Sequence, residues 1–168
     1  KDILLPLVEK VDQNKVEAVG AALFSGEKFS GATLSVEQTQ ILLLLMDKLN
    51  KISQFSLNLS TNKNEFQPIT FITKSVKRQY SVEVNEKSKS IKCKLKVKLN
   101  VIVSSFPQKD KRKIDINALN KTISKKLSSQ ANEITDLLIQ ANSDPIGIGR
   151  TVESKKPSFY KGLNWEEA

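Results

Sequence analysis

The chain contains one long stretch in which apolar and polar residues alternate. Every second residue from Ile91 to Val103 is apolar, and lysines fill the positions between them as far as Lys98. The apolar set is Ile91, Cys93, Leu95, Val97, Leu99, Val101 and Val103, and the lysines, here called the lysine ladder, are Lys92, Lys94, Lys96 and Lys98. Because successive side chains of a strand point to opposite faces, this pattern predicts a β-strand with one face in the core and the ladder in water. It also predicts that Cys93 is a buried, unreactive thiol.

Four other segments have the character of strands. Residues 16–24 and 29–32 flank a Ser-Gly-Glu-Lys turn, which predicts a hairpin. Residues 55–59 and 69–84 alternate between apolar and polar side chains. Because short turns join successive strands, antiparallel pairing is predicted throughout.

The last of these segments carries charges on the side that is otherwise apolar. Its predicted inward residues include Ile72, Val76 and Tyr80. Lys74 and Arg78 are also even-numbered, so the alternation places them on the same inward face. An unpaired charge in the core is very costly. We therefore predict a bulge or bend that keeps both charges out of the core.

Two helices complete the predicted fold. Ser35 followed by Gln38 is a capping-box pattern, and it begins a buried helix over about 35–51 that is apolar on nearly every side. Asp115 is a suitable N-cap for a long amphipathic helix over about 115–142. The predicted fold is therefore α+β, with an antiparallel β-sheet of four to five strands flanked by these two helices.

The length of 168 residues fits one domain. We assign 15–168 to a single α+β domain and 1–14 to an incoming linker or a remnant of a preceding domain. The chain starts at Lys1 without an initiator Met, so we interpret it as a piece of a longer protein. Its longest apolar run, 41–46, is far shorter than the roughly 20 residues that span a bilayer.

The composition argues against most catalytic chemistry. The chain has no histidine and one cysteine, which removes imidazole or thiolate metal clusters and Ser–His or Cys–His nucleophiles. We therefore expect no enzymatic activity, no cofactor and no metal. The net charge of +9 suggests nucleic acid as an alternative partner, but only Arg78, Arg112 and Arg150 are arginines and no aromatic residue interleaves with the ladder. A basic domain that binds nucleic acid or an anionic surface is the alternative interpretation.

Two surfaces are candidate functional sites. The lysine ladder is suited to anionic lipid headgroups, at about 1 kcal/mol per lysine, or it is a solvated face or a protected sheet edge. The candidate protein interface near the end of the chain comprises Ile146, Phe159, Tyr160 and Trp165. Exposed aromatic anchors often dominate interface energies. The alternative is that these residues pack the end of the chain onto the domain.

Two motifs carry a family resemblance. Residues 20–31 (GAALFSGEKFSG), followed by the Leu-rich segment 34–49, resemble the start of the C-terminal domain of spore germination receptor C subunits. Residues 141–150 (ANSDPIGIGR) are similar to the turn after the long helix of that family, and the similarity continues to 164–167 (NWEE).

The resemblance implies a secreted lipoprotein held at the outer face of the spore inner membrane by an acylated N-terminal Cys. It implies membrane-embedded A and B type subunits as partners in a receptor for nutrient germinants, with no enzymatic role. The family continues past its Trp with another β-like segment, whereas this chain stops at Ala168 and lacks the acylated Cys. We therefore expect the lipid anchor, the signal peptide and a further strand to belong to the full-length protein.

Overall fold

The computed structural model describes residues 2–49, 54–58, 68–105 and 115–163. The strands are β1 (Leu4–Asp12), β2 (Lys15–Ser25), β3 (Lys28–Ser35), β4 (Gln54–Asn58), β5 (Pro68–Asn85) and β6 (Ser90–Ser105). The helices are α1 (Val36–Leu45), α2 (Ile116–Gln140), α3 (Ile148–Lys155) and α4 (Pro157–Lys161). The α+β class and the antiparallel pairing are confirmed. The strands form two three-stranded sheets, β1-β2-β3 and β4-β5-β6, rather than the one sheet that was predicted.

The first sheet extends into the segment 1–14. Leu4 of β1 pairs with Leu23 of β2, and Leu5 pairs with Ala22. Residues 4–12 are thus a strand of this sheet, whereas the domain boundary near residue 15 stays a prediction. The β2–β3 hairpin is confirmed, with Ser25 opposite Lys28 across the turn.

Helix α1 begins where the capping box predicts. The Gln38 N–H donates to Ser35 Oγ at 3.2 Å, and the Ser35 N–H donates to Gln38 Oε1 at 2.9 Å. The helix ends at Leu45, earlier than predicted, because Asp47 adopts a left-handed φ of 59°. The Lys48 N–H then donates to the Leu43 carbonyl at 2.8 Å, which closes the helix in a Schellman turn.

Helix α2 packs against both apolar clusters of the protein. Asp115 caps it by accepting hydrogen bonds from the backbone of Asn117 and Ala118, as predicted. The first cluster joins the first sheet, α1 and the second half of α2; its buried residues are Leu23, Leu34, Ile41, Leu42, Leu45, Ile134 and Leu138. The second joins β4, β5 and the first half of α2; its buried residues are Phe55, Leu57, Ile69, Phe71 and Ile123. In the part of the chain that the structure describes, no helix is long and apolar enough to span a bilayer.

A bulge divides β5 into two halves. The inward-facing residues are odd-numbered before the bulge and even-numbered after it. Thr73 pairs with Val101 and Ser75 pairs with Asn100, so Lys74 is the extra residue and its side chain is exposed. The predicted bulge therefore keeps Lys74 out of the core.

Two other expectations for β5 were wrong. Ile72 lies opposite the exposed Ile102 and thus on the outer face, because the inward positions before the bulge are odd-numbered. Arg78 pairs with Val97 and lies on the inward face, because the bulge moves even-numbered residues inward.

Candidate functional site

The lysine ladder occupies the outer face of a long two-stranded ribbon made by β5 and β6. All four lysines are exposed, while Ile91, Cys93, Leu95, Val97, Leu99 and Val101 on the other face are partly buried. The predicted register of β6 is therefore confirmed. The apolar face is only half enclosed, so this strand is less buried than its pattern indicated.

A fifth lysine joins the ladder from the neighbouring strand. Lys77 of β5 pairs directly with Lys98, while Gln79, Ser81 and Glu83 pair with the other three lysines. We call Lys77, Glu83 and the lysine ladder together the basic face. Its five lysines and one glutamate leave a net charge of +4. The alternation in β6 alone gave no sign of Lys77, because its place beside Lys98 depends on the register between β5 and β6.

The basic face contains one acidic side chain, Glu83, against its five lysines. Lys94 Nζ lies 2.8 Å from Glu83 Oε1, and this hydrogen bond, together with the charges of Lys94 and Lys92, lowers the pKa of the fully exposed Glu83 carboxyl. Lys77 and Lys98, in contrast, are like charges on directly opposed positions, an arrangement that destabilises a sheet. The arrangement suits a surface whose lysines meet an external anion.

The inward face of the same ribbon holds a small polar cluster. The Arg78 guanidinium carbon lies 4.7 Å from the centre of the Tyr80 ring. Arg78 Nε and Nη2 are buried and have no hydrogen-bond partner among the residues that the structure describes. The Tyr80 hydroxyl donates to Thr151 Oγ1 at 3.4 Å, which links the ribbon to α3. Cys93 is half-buried, and this burial raises the pKa of its thiol; its lack of reactivity stays a prediction.

Asp144 organises the segment between α2 and α3. Its carboxylate accepts hydrogen bonds from the backbone N–H groups of Gly147, Ile148 and Gly149, each at 2.8 Å. Ser143 Oγ donates to the Phe24 carbonyl at 2.6 Å, which ties this segment to β2. The hydrogen bonds satisfy the free N–H groups at the start of α3 and fix the direction in which the chain continues.

The predicted interface residues occupy different surroundings. Ile146 is partly buried against the first apolar cluster, so part of its role is structural. Phe159 and Tyr160 lie on α4, each partly exposed, and Trp165 lies outside the described residues. The use of this surface as an interface stays a prediction.

Comparisons with known proteins agree with the fold and the motifs. The family model described as "Spore germination B3/ GerAC like, C-terminal" matches residues 19–168. The crystal structure of the GerBC protein is similar to this chain with a TM-score of 0.75 and 21% identity, over 99% of this chain and 51% of that one. The chain thus spans about half the length of that protein. A search of curated proteins found no match. Since the family model covers most of the sequence, the chain belongs to the family of C-terminal domains of spore germination B3/GerAC-like proteins, the C subunits of germinant receptors.

Proposed function

We propose that this domain is a non-catalytic component of a spore nutrient germinant receptor and acts in nutrient-triggered germination through protein contacts. The family match over residues 19–168 is the observation that carries this proposal. In the full-length protein an N-terminal lipid anchor would hold the domain at the outer face of the spore inner membrane. Its partners there would be the membrane-embedded A and B type subunits.

The α4 region is the proposed surface for those subunits. Phe159 and Tyr160 are partly exposed aromatic residues on a helix of five residues, and α4 follows α3, whose start is capped by the Asp144 carboxylate. Phenyl and phenol rings supply much of the energy of protein interfaces when a partner covers them.

Replacing Phe159 with Ala in the full-length subunit is therefore expected to weaken co-purification with the membrane subunits about tenfold, the effect of losing one aromatic anchor. The matched control is Phe29→Ala, which removes another exposed phenyl ring from the first sheet. Quantitative immunoblotting of the purified membrane complex measures the effect. Equal yields for Phe159→Ala and the unchanged subunit would exclude this surface.

We further propose that the basic face lies against the anionic membrane surface. It presents four exposed lysines on β6 and a fifth, Lys77, beside them. No aromatic or arginine side chain is among the residues that define this face, so base stacking and bidentate contacts to base edges are not supplied there. A smooth anionic surface fits a row of point charges better than a nucleic acid does.

Reversal of the charge of the lysine ladder, by replacing its four lysines with Glu, is expected to abolish binding to anionic vesicles. At about 1 kcal/mol per lysine, the quadruple change to Glu weakens binding to phosphatidylglycerol-containing vesicles by about a thousandfold at low salt. Binding of the unchanged chain should itself fall as salt rises, because the Debye length shortens. Co-sedimentation measures both effects.

The control for this experiment carries the same change in net charge elsewhere. Lys121, Lys125 and Lys126 of α2 and Lys155 of α3 are exposed, and their replacement by Glu should weaken binding much less. Equal losses in the two quadruple variants would show that total charge, and not the basic face, is responsible. An absence of low-salt binding by the unchanged chain would eliminate the membrane contact.

A further inference from the structure

Strand β6 lies at an open edge of the second sheet. The strand order is β4-β5-β6, so one edge of this 16-residue strand has no partner among the described residues. The edge strands of the first sheet are shorter or interrupted: β3 has eight residues, and β1 contains Pro6 and two register shifts. From Ser90 to Asn100, β6 pairs with β5 without any register shift. Its outer edge therefore presents a long, regular row of backbone donors and acceptors.

A cavity opens beside the same strand. Its volume is about 230 Å³, and it separates the inward face of β6 from α2. Side chains of α1 and β5 also line it, and its walls include Ser124 and Leu127 of α2 and four side chains of β6: Leu95, Val97, Leu99 and Val101. Among the described residues, no charged side chain lines this cavity. The volume lies below the roughly 300–1,000 Å³ of typical small-molecule sites, so apolar side chains of a polypeptide fit it better than a separate ligand.

We propose that the edge of β6 accepts a strand from a protein partner, in which apolar residues alternate with acidic ones. A strand hydrogen-bonded to this edge continues the pleat of the sheet, so every second side chain points into the cavity between β6 and α2. The intervening side chains then lie beside the lysine ladder, where carboxylates are favoured. The backbone edge of β6 is used by neither contact proposed above. The carboxylates of a bound strand would, however, meet the same lysine ladder as the proposed membrane surface, so the two partners compete for it.

The charge of the lysine ladder disfavours a second copy of this chain as the partner at the edge of β6. Pairing β6 with β6 would place lysines of one copy beside lysines of the other, which is destabilising. The apolar stretch from Leu95 to Val101 matches a partner segment of about seven residues, or about 23 Å at 3.3 Å per residue.

The test uses the 168-residue chain and a short labelled peptide in which Val alternates with Glu. Its control has the same composition with the Val residues in one block. The alternating peptide should bind about tenfold tighter in fluorescence anisotropy, because only its valines can all face the cavity. Amide hydrogen exchange at alternate residues between Lys92 and Val101 should slow about tenfold when it binds.

A pair of variants links binding to the cavity. Ser124→Leu places a larger apolar side chain of α2 in the cavity. It should weaken binding of the alternating peptide about tenfold. Ser129→Leu makes the same change at an exposed position of α2 outside the cavity and should leave affinity unchanged. Both replacements are on the surface of α2, so thermal unfolding can show that each variant is folded.

Several results would overturn the proposal. Absence of peptide binding, equal affinity for the two peptides, or slowed exchange at β1, β3 or β4 would each contradict it. Concentration-dependent dimerisation that protects β6 amides would identify a second copy as the occupant. Displacement of the peptide by the apolar dye N-phenyl-1-naphthylamine without any protection of β6 amides would identify a small-molecule site instead.

Discussion

Replacement of Gly20 with Ala is expected to lower the free energy of unfolding by about 4 kcal/mol, as strain and overpacking add. Gly20 has a φ of +155°, and a Cβ at this position would lie 1.9 Å from the Leu34 carbonyl oxygen. That atom belongs to the backbone of β3, so it cannot rotate away. Gly20 pairs with Leu7 on one side and Ser35 on the other, and any shift must disturb both pairings of the first sheet.

Urea unfolding of the purified chain measures this effect, with Gly31→Ala as the matched control. Gly31 also has a left-handed φ, +85°, but no described residue other than its chain neighbours comes within 4 Å of the place that an alanine Cβ would occupy. Its replacement should therefore cost only the backbone strain, about 1 kcal/mol. If the two variants lost equal stability, the close approach of β3 to Gly20 would be contradicted.

Phe71→Ala is expected to cost about 4 kcal/mol, within the range for removing a buried phenyl ring. The Phe71 side chain is fully buried and stacks on Phe55, with ring centres 5.5 Å apart. Its ring is part of the second apolar cluster, which joins β4 and β5 to Ile123 of α2. The cavity left by its removal cannot collapse easily, because three elements meet there.

The control for Phe71 is Phe29→Ala. The Phe29 side chain is 53% exposed and touches Phe24 at a ring-centre distance of 5.8 Å. Its removal should cost less than about 1 kcal/mol, because it loses one aromatic contact and little burial. Chemical unfolding of both variants gives the comparison. A loss for Phe71→Ala no larger than for Phe29→Ala would mean that the second cluster does not contribute to stability as its burial indicates.

Local sequence patterns determined which face of β6 meets the core and where α1 and α2 begin. The period of two in β6 placed the lysine ladder outside, and the Ser35–Gln38 capping box placed the start of α1. These predictions hold because the side-chain direction in a strand and the hydrogen bonds of a helix cap depend only on neighbouring residues. Asp115 placed the start of α2 for the same reason. The motifs in 20–31 and 141–150 also indicated the family that the comparison shows.

The tertiary structure alone decided how these elements combine. The bulge at Lys74 was expected, but its position in the pairing with β6 puts Ile72 on the outer face, leaves Arg78 on the inward face and sets Lys77 opposite Lys98. Likewise, the division into two sheets depends on where α1 packs, since its buried side chains belong to a cluster that extends from Leu23 to Leu138. Residues distant in sequence set these choices, and periodicity carries no information on which strands become neighbours. For that reason the sequence by itself determined the faces of β6, whereas only the folded chain could show its open edge and the cavity beside it.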